Sequence, residues 1–285
     1  MVDAKLLTPA QLRQSRLSEN LHTAYAIFLR DARIALSYPV QFWLTWLGVG
    51  VSVATAYLIS RLIAPSQNFG FGGHSSSYFD YLVVNLAFVG FQSIGLVTFA
   101  KAIRDGQLYG TIEVVLATPT PVSVFVLSAG LWAFTMTAIE ATLYLIIALF
   151  FGLNLHNVNV ISALVFIVLA IASMSPFGVL SAAAVMVFKQ TGPVEFFMTS
   201  MANIFGGVFL PVSKLPLFIQ YVSWMLPITH ALNGIRGAVN GASLTQLMPD
   251  VIWLLVESIV LLPLSLLIFK RAVHVARIDG TLGQY

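Results

Sequence analysis

The chain has 285 residues, of which 58% are hydrophobic and only 9% charged, and its mean hydropathy is +0.90. Soluble domains carry about 25% charged residues, so this composition predicts an integral helical membrane protein. The chain has no cysteine, which excludes disulfides and thiolate metal sites, and its net charge of +3 forms no basic patch of the kind that binds nucleic acid.

Residues 1–38 are predicted to form a polar tail followed by an amphipathic helix. Residues 1–17 contain no apolar core with a cleavage site, so we expect no signal peptide. From Ser18 onward, apolar side chains recur at helical spacing, and the arginines stand away from that face. This pattern is typical of a helix that lies in the plane of the membrane surface.

Residues 39–270 are predicted to form a transmembrane domain. A bilayer needs about 20 apolar residues per crossing helix, and six apolar segments in this region serve as candidates. In chain order they are 40–60, 81–100, 123–151, 160–188, a segment from the polar turn 189–195 to about Gly206, and 251–269.

The distribution of basic residues predicts the orientation. If both termini are cytoplasmic, 11 of the 14 Lys and Arg residues lie inside, and only Arg61, Lys214 and Arg236 lie outside. Cytoplasmic loops are enriched in Lys and Arg. We therefore expect a multi-pass protein of the cell membrane, with the tail 271–285 in the cytoplasm.

A short polar segment, residues 106–121, separates the second and third apolar segments. Thr111 is suited to cap a helix, and Glu113 then lies in the first turn, where a negative charge suits the helix dipole. Prolines end the helix, since each disfavours helical geometry in the residue before it. We predict a short helix on the cytoplasmic membrane surface, with an apolar face that another protein can contact. The alternative is an ordinary interfacial loop helix without such a role. Its apolar positions, spaced by three and four, are Ile112, Val115 and Leu116.

The segment from Gly206 to Arg236 is predicted to enter the membrane without crossing it. Gly206 and the prolines that follow interrupt helical geometry. The apolar run Leu217–Leu226 is too short to span a bilayer, so we expect a half-helix that enters from the external side. The alternative is one bent transmembrane helix over 203–226, which would place the C-terminus outside, against its basic cluster.

Two groups of residues resemble motifs of type-2 ATP-binding-cassette (ABC) transporter permeases. The resemblance covers most of the chain, but the sequence lacks the long cytosolic insert and the sugar-binding module of the polysaccharide branch. The first group, Gly110-Thr-Ile-Glu with Leu116-Ala-Thr-Pro119, is similar to the Gly-Thr-(Leu/Ile)-Glu…Leu-Leu-x-Thr-Pro signature. The second resembles the re-entrant hairpin and its Pro-rich continuation in nodulation-factor and daunorubicin-resistance exporter permeases. It consists of Phe209-Leu-Pro211, Leu215-Pro216, Leu226-Pro227-Ile-Thr229 and Arg236.

This resemblance implies an all-α fold with six transmembrane helices, an N-terminal elbow helix, a cytoplasmic coupling helix at about 106–121 and an external re-entrant hairpin at about 206–236. In this family the coupling helix docks on a separate ATPase. The coupling residues would be Gly110, Thr111, Ile112, Glu113, Val115, Leu116, Thr118 and Pro119. The gate residues would be Gly206, Gly207, Pro211, Lys214, Pro216 and Pro227.

The sequence contains no Gly-x-x-x-x-Gly-Lys-Ser/Thr phosphate loop. We therefore expect no cofactor on this chain, with ATP and Mg²⁺ held by a separate ABC ATPase subunit present in two copies. Such transporters use about twice as many spans, so we also expect a second permease copy, forming a homodimer, or a paralogue. Membrane lipid and an amphiphilic substrate complete the expected partners, and a drug, a lipid or a lipid-linked glycan would fit.

Two carboxylates, Glu140 and Glu257, lie well inside apolar segments. Such residues are costly in a membrane and point to a functional site. Each is either a protonatable or cation-binding group in the transport path, or a neutral or hydrogen-bonded carboxyl between helices, paired with Ser, Thr or Tyr. We favour the second interpretation because structural networks commonly hold such groups. The first interpretation supports an alternative function, a proton-coupled secondary carrier; a non-transporting scaffold is a third. His156 and His230 lack partners at metal-ligand spacing, so no metal site is predicted.

Overall fold

The computed structural model describes residues 9–63, 77–110, 121–153, 155, 157–188 and 192–278. Regular structure in these residues is helical, with no strand, which confirms the predicted all-α class. A short 3₁₀ turn, Val212–Lys214, accompanies the α-helices. The α-helices are α1 (Pro9–Leu36), α2 (Pro39–Ile63), α3 (Tyr78–Leu108), α4 (Val122–Ala129), α5 (Leu131–Phe150), α6 (Val160–Phe188), α7 (Gly192–Phe205), α8 (Leu217–Trp224), α9 (Pro227–Val239) and α10 (Met248–Ile278).

Five helical stretches of the described chain are long and apolar enough to cross a membrane. They are Pro39–Leu62, Tyr78–Leu108, Val124–Phe150, Val160–Val187 and Met248–Ala276. Helix α7, in the place of the predicted fifth span, has 14 residues and is therefore about 21 Å long. A hydrocarbon core is about 30 Å thick. The arrangement with six spans therefore stays a prediction.

Helix α1 begins at Pro9, earlier than the start at Ser18 that the apolar periodicity predicts. It packs against α4 and α5. The ring of Phe28 meets the ring of Trp132 on α5 edge to face, with 5.6 Å between centroids. These contacts place α1 beside the start of the third apolar segment. Its orientation relative to a membrane surface stays a prediction.

The predicted third span is divided at Gly130 into α4 and α5. A Cβ atom at Gly130 would lie 3.0 Å from ring carbons of both Phe99 and Phe134. The absence of a side chain therefore lets Phe99 of α3 pack directly against the junction between the two helices.

Helix α6 occupies the centre of the bundle, packed against α3, α9 and α10. A Cβ atom at Gly178 would lie 1.8 Å from the carbonyl oxygen of Gly95 on α3, so the two backbones touch where the helices cross. Small residues at such crossings allow the close approach that drives helix association in membranes. Phe166, on the same helix, is fully buried in the largest core cluster, between α3, α6 and α9.

Two further core clusters extend along α3. Phe269 on α10 anchors one cluster with α3, α4 and α6, near the end of α3 that leads to Leu108. Phe79, at the other end of α3, belongs to a cluster with α2 and the end of α5. Helix α3 is therefore held along its whole length, which favours movement as one rigid unit.

Candidate functional site

The predicted coupling helix follows α3 directly. Gly110 closes α3 with φ of 66°, a left-handed conformation that glycine adopts at little cost and that commonly ends helices. It is the one coupling residue that the structure describes. The other predicted coupling residues, which lie outside the described residues, are Thr111, Ile112, Glu113, Val115, Leu116, Thr118 and Pro119.

The backbone leaves helical geometry after α7, as the sequence predicts. Gly206 and Gly207 are buried, and Gly207 has φ of 76°. A Cβ atom on Gly207 would lie 3.0 Å from the Val212 side chain, so space as well as conformation favours glycine. Pro211 then precedes the 3₁₀ turn. The chain thus reverses within a few residues.

The remaining predicted gate residues start or end short elements of the segment 206–236. Lys214 is exposed at the end of the 3₁₀ turn. Pro216 immediately precedes α8. Pro227 is the first residue of α9, a position where a helix needs no backbone N–H. Their roles in gating stay predictions.

Three polar side chains of α3 bind the non-helical backbone of this segment. The Tyr81 hydroxyl donates to the Gly207 carbonyl at 2.5 Å, and the Asn85 amide donates to the Val208 carbonyl at 2.8 Å. The Tyr78 hydroxyl donates to the next carbonyl, of Phe209, at 3.2 Å. Buried carbonyls are costly when unpaired, so α3 supplies the bonds that the broken helix lacks.

Tyr81 also contacts the far end of the segment. The guanidinium of Arg236, a residue only 9% exposed, lies over the Tyr81 ring at 4.8 Å from its centroid. Arg236 donates to the Leu232 carbonyl at 3.0 Å and to the Asn233 side chain. A buried cation needs such partners. One tyrosine of α3 therefore contacts both ends of the segment 206–236, at Gly207 and at Arg236.

His230 links the segment to α10. Its Nδ1 lies 2.6 Å from a carboxylate oxygen of Asp250, and its Nε2 lies 2.9 Å from the Trp224 carbonyl oxygen. Both neighbours accept hydrogen bonds, so the doubly protonated imidazole satisfies both of them at once. Burial lowers the pKa of His230, but the bonds to Asp250 and Trp224 raise the pKa by more than burial lowers it. The net pKa therefore lies above its usual value.

The two intramembrane carboxylates lie in different places. Glu257 is on α10, on the same face as Asp250 and Trp253, and its Oε2 is buried with no hydrogen-bond partner among the described residues. Glu140 lies on α5 and lines a cavity with residues of α1 and α2. The predicted bond from Glu140 to a Ser, Thr or Tyr is not formed within the part of the chain that the structure describes.

The sequence pattern of the ABC-2 type transporter family matches residues 40–240, from the start of α2 to the end of α9. That is more than two thirds of the 285 residues. The chain belongs to the ABC-2 type transporter family. Its members are the membrane subunits of ABC transporters and generally work with an ABC ATPase subunit. No individual curated protein matches the chain.

This ABC-2 permease holds its broken segment through residues that sequence patterns did not reveal. Tyr78, Tyr81 and Asn85 are separated by 131, 126 and 123 positions from the carbonyls that they bind. Their spacing of three and four on one side of α3 is a weak signal of a polar stripe in an apolar helix. Asp250 stands 20 residues after His230, and that spacing carries no signal.

Proposed function

We propose that this chain is the transmembrane permease subunit of an ATP-driven ABC exporter that moves an amphiphilic substrate out of the cytoplasm or the inner leaflet. Family membership supports an ABC transport permease. The proposed assembly contains two copies of this chain and two separate ATPase subunits in the cell membrane. Both termini and the segment 106–121 face the cytoplasm, and the segment 206–236 faces outside.

The observation that carries this proposal is the double attachment of α3. At its N-terminal end, Tyr78, Tyr81 and Asn85 bind the segment 206–236. Its C-terminal end leads through Gly110 into the segment that resembles a coupling helix. Helix α3 has 31 residues, which corresponds to about 46 Å. One helix therefore joins the two regions that an ATP-driven exporter must connect.

The proposed mechanism is mechanical transmission along α3. Closure of the ATPase subunits moves the coupling helix, and α3 moves with it because the core clusters hold the helix along its length. Displacement of Tyr81 then alters the bonds that hold the Gly207 turn and Arg236. The segment 206–236 shifts and opens the outer end of the path between the two copies.

A test of the proposed topology uses the absence of native cysteine. Ser213 and Thr245 are both exposed and flank α8 and α9. With single Cys substitutions, we expect both positions to react with a membrane-impermeant thiol reagent added outside intact cells. Labelling of position 213 with protection of position 245 would mean that the segment crosses the membrane.

The coupling role is tested by Glu113→Lys in proteoliposomes that contain the permease and its ATPase subunits. We expect normal insertion but loss of permease-stimulated ATPase activity. A lysine in the first turn opposes the helix dipole, and it would face the basic or polar groups of the ATPase that we expect Glu113 to contact. Glu19→Lys is the matched control, since Glu19 is an exposed acidic residue of α1 on the same proposed side. Full stimulation in Glu113→Lys would contradict the coupling role.

The same proteoliposomes separate the exporter from the proton-coupled carrier that Glu140 and Glu257 suggest. An exporter requires ATP in the compartment of the ATPase and works without a pH gradient. Transport that follows an imposed pH gradient without ATP, and that is lost in Glu257→Gln, would instead establish the carrier.

A further inference from the structure

A cavity of about 190 Å³ lies between the end of α1, the first two turns of α2 and the first half of α5. On α5 the lining residues recur every four positions, so they form a single stripe along one helix face. On α2 they form two pairs of adjacent residues, and the second pair follows the first by four positions, about one helical turn. The lining residues are Ala35, Gln41, Phe42, Thr45, Trp46, Trp132, Met136 and Glu140.

The wall of the cavity combines aromatic rings with one carboxyl group. Phe42, Trp46 and Trp132 are all partly buried, and the Phe42 and Trp46 rings meet edge to face at 6.4 Å. Glu140 is the one charged residue among the lining residues, all of which belong to the described chain. No Lys or Arg is present there to neutralise it.

Two polar groups in this wall lack partners among the described residues. The Glu140 carboxylate makes no hydrogen bond or ion pair there, and the Trp46 Nε1 is buried without an acceptor. Thr45 is already satisfied, because its hydroxyl donates to the Gln41 carbonyl at 2.9 Å. A lone carboxylate in an apolar segment is costly, so the site as built is suited to receive a positive charge.

We propose that this cavity binds the alkylammonium head group of an amphiphile. The ammonium group pairs with the Glu140 carboxylate, and its alkyl substituents lie against the aromatic rings, which attract cations through their negative faces. Sites that enclose a drug-sized molecule measure about 300–1,000 Å³, so a cavity of about 190 Å³ holds a head group and leaves the tail outside.

The outer surface of α2 provides the place for the tail. Trp43 and Leu47 are 69% and 65% exposed and lie next to the cavity residues Phe42 and Trp46. Trp46 is seven residues from the start of α2 at Pro39, or about 10 Å along the helix axis. A head group in the cavity is therefore close to one end of the span, and its tail extends along α2 among the lipid chains.

Head-group binding is a property of this chain alone. The further statement that the bound amphiphile is the cargo rests on the proposed function, and it assigns that cargo to the class of amphiphilic cations. A binding measurement needs neither ATP nor an ATPase subunit. Failure of binding and failure of ATP-driven export are therefore distinguishable.

The test measures binding of dodecyltrimethylammonium to the full-length permease in nanodiscs of anionic phosphatidylglycerol. We expect saturable binding that weakens about tenfold or more in Glu140→Gln, because the variant keeps the size of the side chain but loses the charge. Glu257→Gln is the matched control, since it removes the other intramembrane carboxylate outside the cavity. It should bind like the parent chain.

A neutral analogue of the probe has carbon in place of the ammonium nitrogen. It should bind to the parent chain about tenfold more weakly than the probe does, and it should bind equally to the parent chain and to Glu140→Gln. Equal binding of the probe to the parent chain and Glu140→Gln, or an equal loss in both Gln variants, would overturn the proposal. Phe42→Leu provides a second measurement if Glu140→Gln does not fold. It should weaken binding about threefold, and unchanged binding would also count against the site.

Nanodiscs of phosphatidylcholine distinguish two sources of the head group. The ratio of binding in the parent chain to binding in Glu140→Gln cancels the attraction of the probe to the anionic lipid surface. A smaller ratio in phosphatidylcholine than in phosphatidylglycerol would show that a choline lipid competes for the cavity, and equal ratios in both would assign the site to free amphiphilic cations. Either result supports the site, provided that the loss in Glu140→Gln is observed.

Discussion

Helices α8 and α9 are neighbours in the chain, and each follows or begins with a proline, yet their surroundings are opposite. On α8, Leu217 and Phe218 are each 73% exposed. On α9, Leu232 and Ile235 are 0% and 1% exposed, within the core between α3 and α6. Within the segment 206–236, α9 is therefore the fixed part, and α8 is available to lipid or to a second copy.

This difference shows that the segment is anchored from one side. Arg236 and His230, both on α9, connect it to α3 and α10, whereas α8 is attached mainly through the turns at its ends. Its Gln220 amide donates at 2.8 Å to the carbonyl of Leu215, which lies just before the start of the same helix. Regions with few buried contacts open at lower free energy, so α8 should move more readily than α9.

The largest expected effect comes from disturbing α9. A Cβ atom at Gly234 would lie 1.9 Å from Cε1 of the fully buried Phe166 ring. Gly234→Ala should therefore force α9 away from α6 and destabilise the fold by about 3 kcal/mol or more, at the upper end of overpacking costs. The measurement is unfolding of the purified permease in detergent.

Gly50→Ala on α2 is the matched control for this variant. Nothing lies within 4 Å of a Cβ atom at Gly50, and alanine favours a helix over glycine by about 1 kcal/mol. The control should therefore unfold like the parent chain or later. Equal stability of the two variants would show that α9 is not fixed against α6.

A smaller, pH-dependent effect is expected at the link between α9 and α10. The raised pKa of His230 means that the folded state stabilises the protonated ring beside Asp250 and Glu257. This stability is fully present below the ordinary pKa of about 6.5 and is lost as pH rises through the higher pKa of the folded state. Relative to His230→Gln, the parent chain should be more stable by about 2 kcal/mol near pH 6.

The difference should decrease steadily towards pH 9, and thermal unfolding of both proteins across this range measures it. His22→Gln is the control, because it makes the same substitution at an exposed position of α1. A difference between parent and His230→Gln that increases with pH would mean that the neutral imidazole is the stabilised form.

The smallest effect is expected on α8. Phe218→Ala and Tyr221→Ala remove side chains that are 73% and 75% exposed, so each should change stability by no more than about 0.5 kcal/mol. Unfolding in detergent measures this. A loss above about 1.5 kcal/mol in either variant would show that α8 packs against protein in the purified permease and would remove the contrast with α9.

Local sequence signals predicted α8 but not α9. The run Leu217–Leu226 and its flanking prolines indicated a short helix, and the observed α8 ends at Trp224 because Pro227 disfavours helical geometry just before it. The residues after Pro227 were predicted only as a Pro-rich continuation. They form a helix to Val239, because a proline at the first position starts a helix rather than breaking it.

The sequence by itself determined the membrane class, the helical content, the break after α7 and the motifs of the ABC-2 family. These features depend on hydropathy, glycine and proline, which act within a few residues. Only the tertiary structure decided that α9 is buried while α8 is exposed, and that Glu140 lines a cavity while Glu257 lies close enough to His230 for their charges to interact. Those outcomes depend on contacts between residues far apart in the chain, such as Tyr81 with Gly207, and no local pattern encodes which distant surfaces meet.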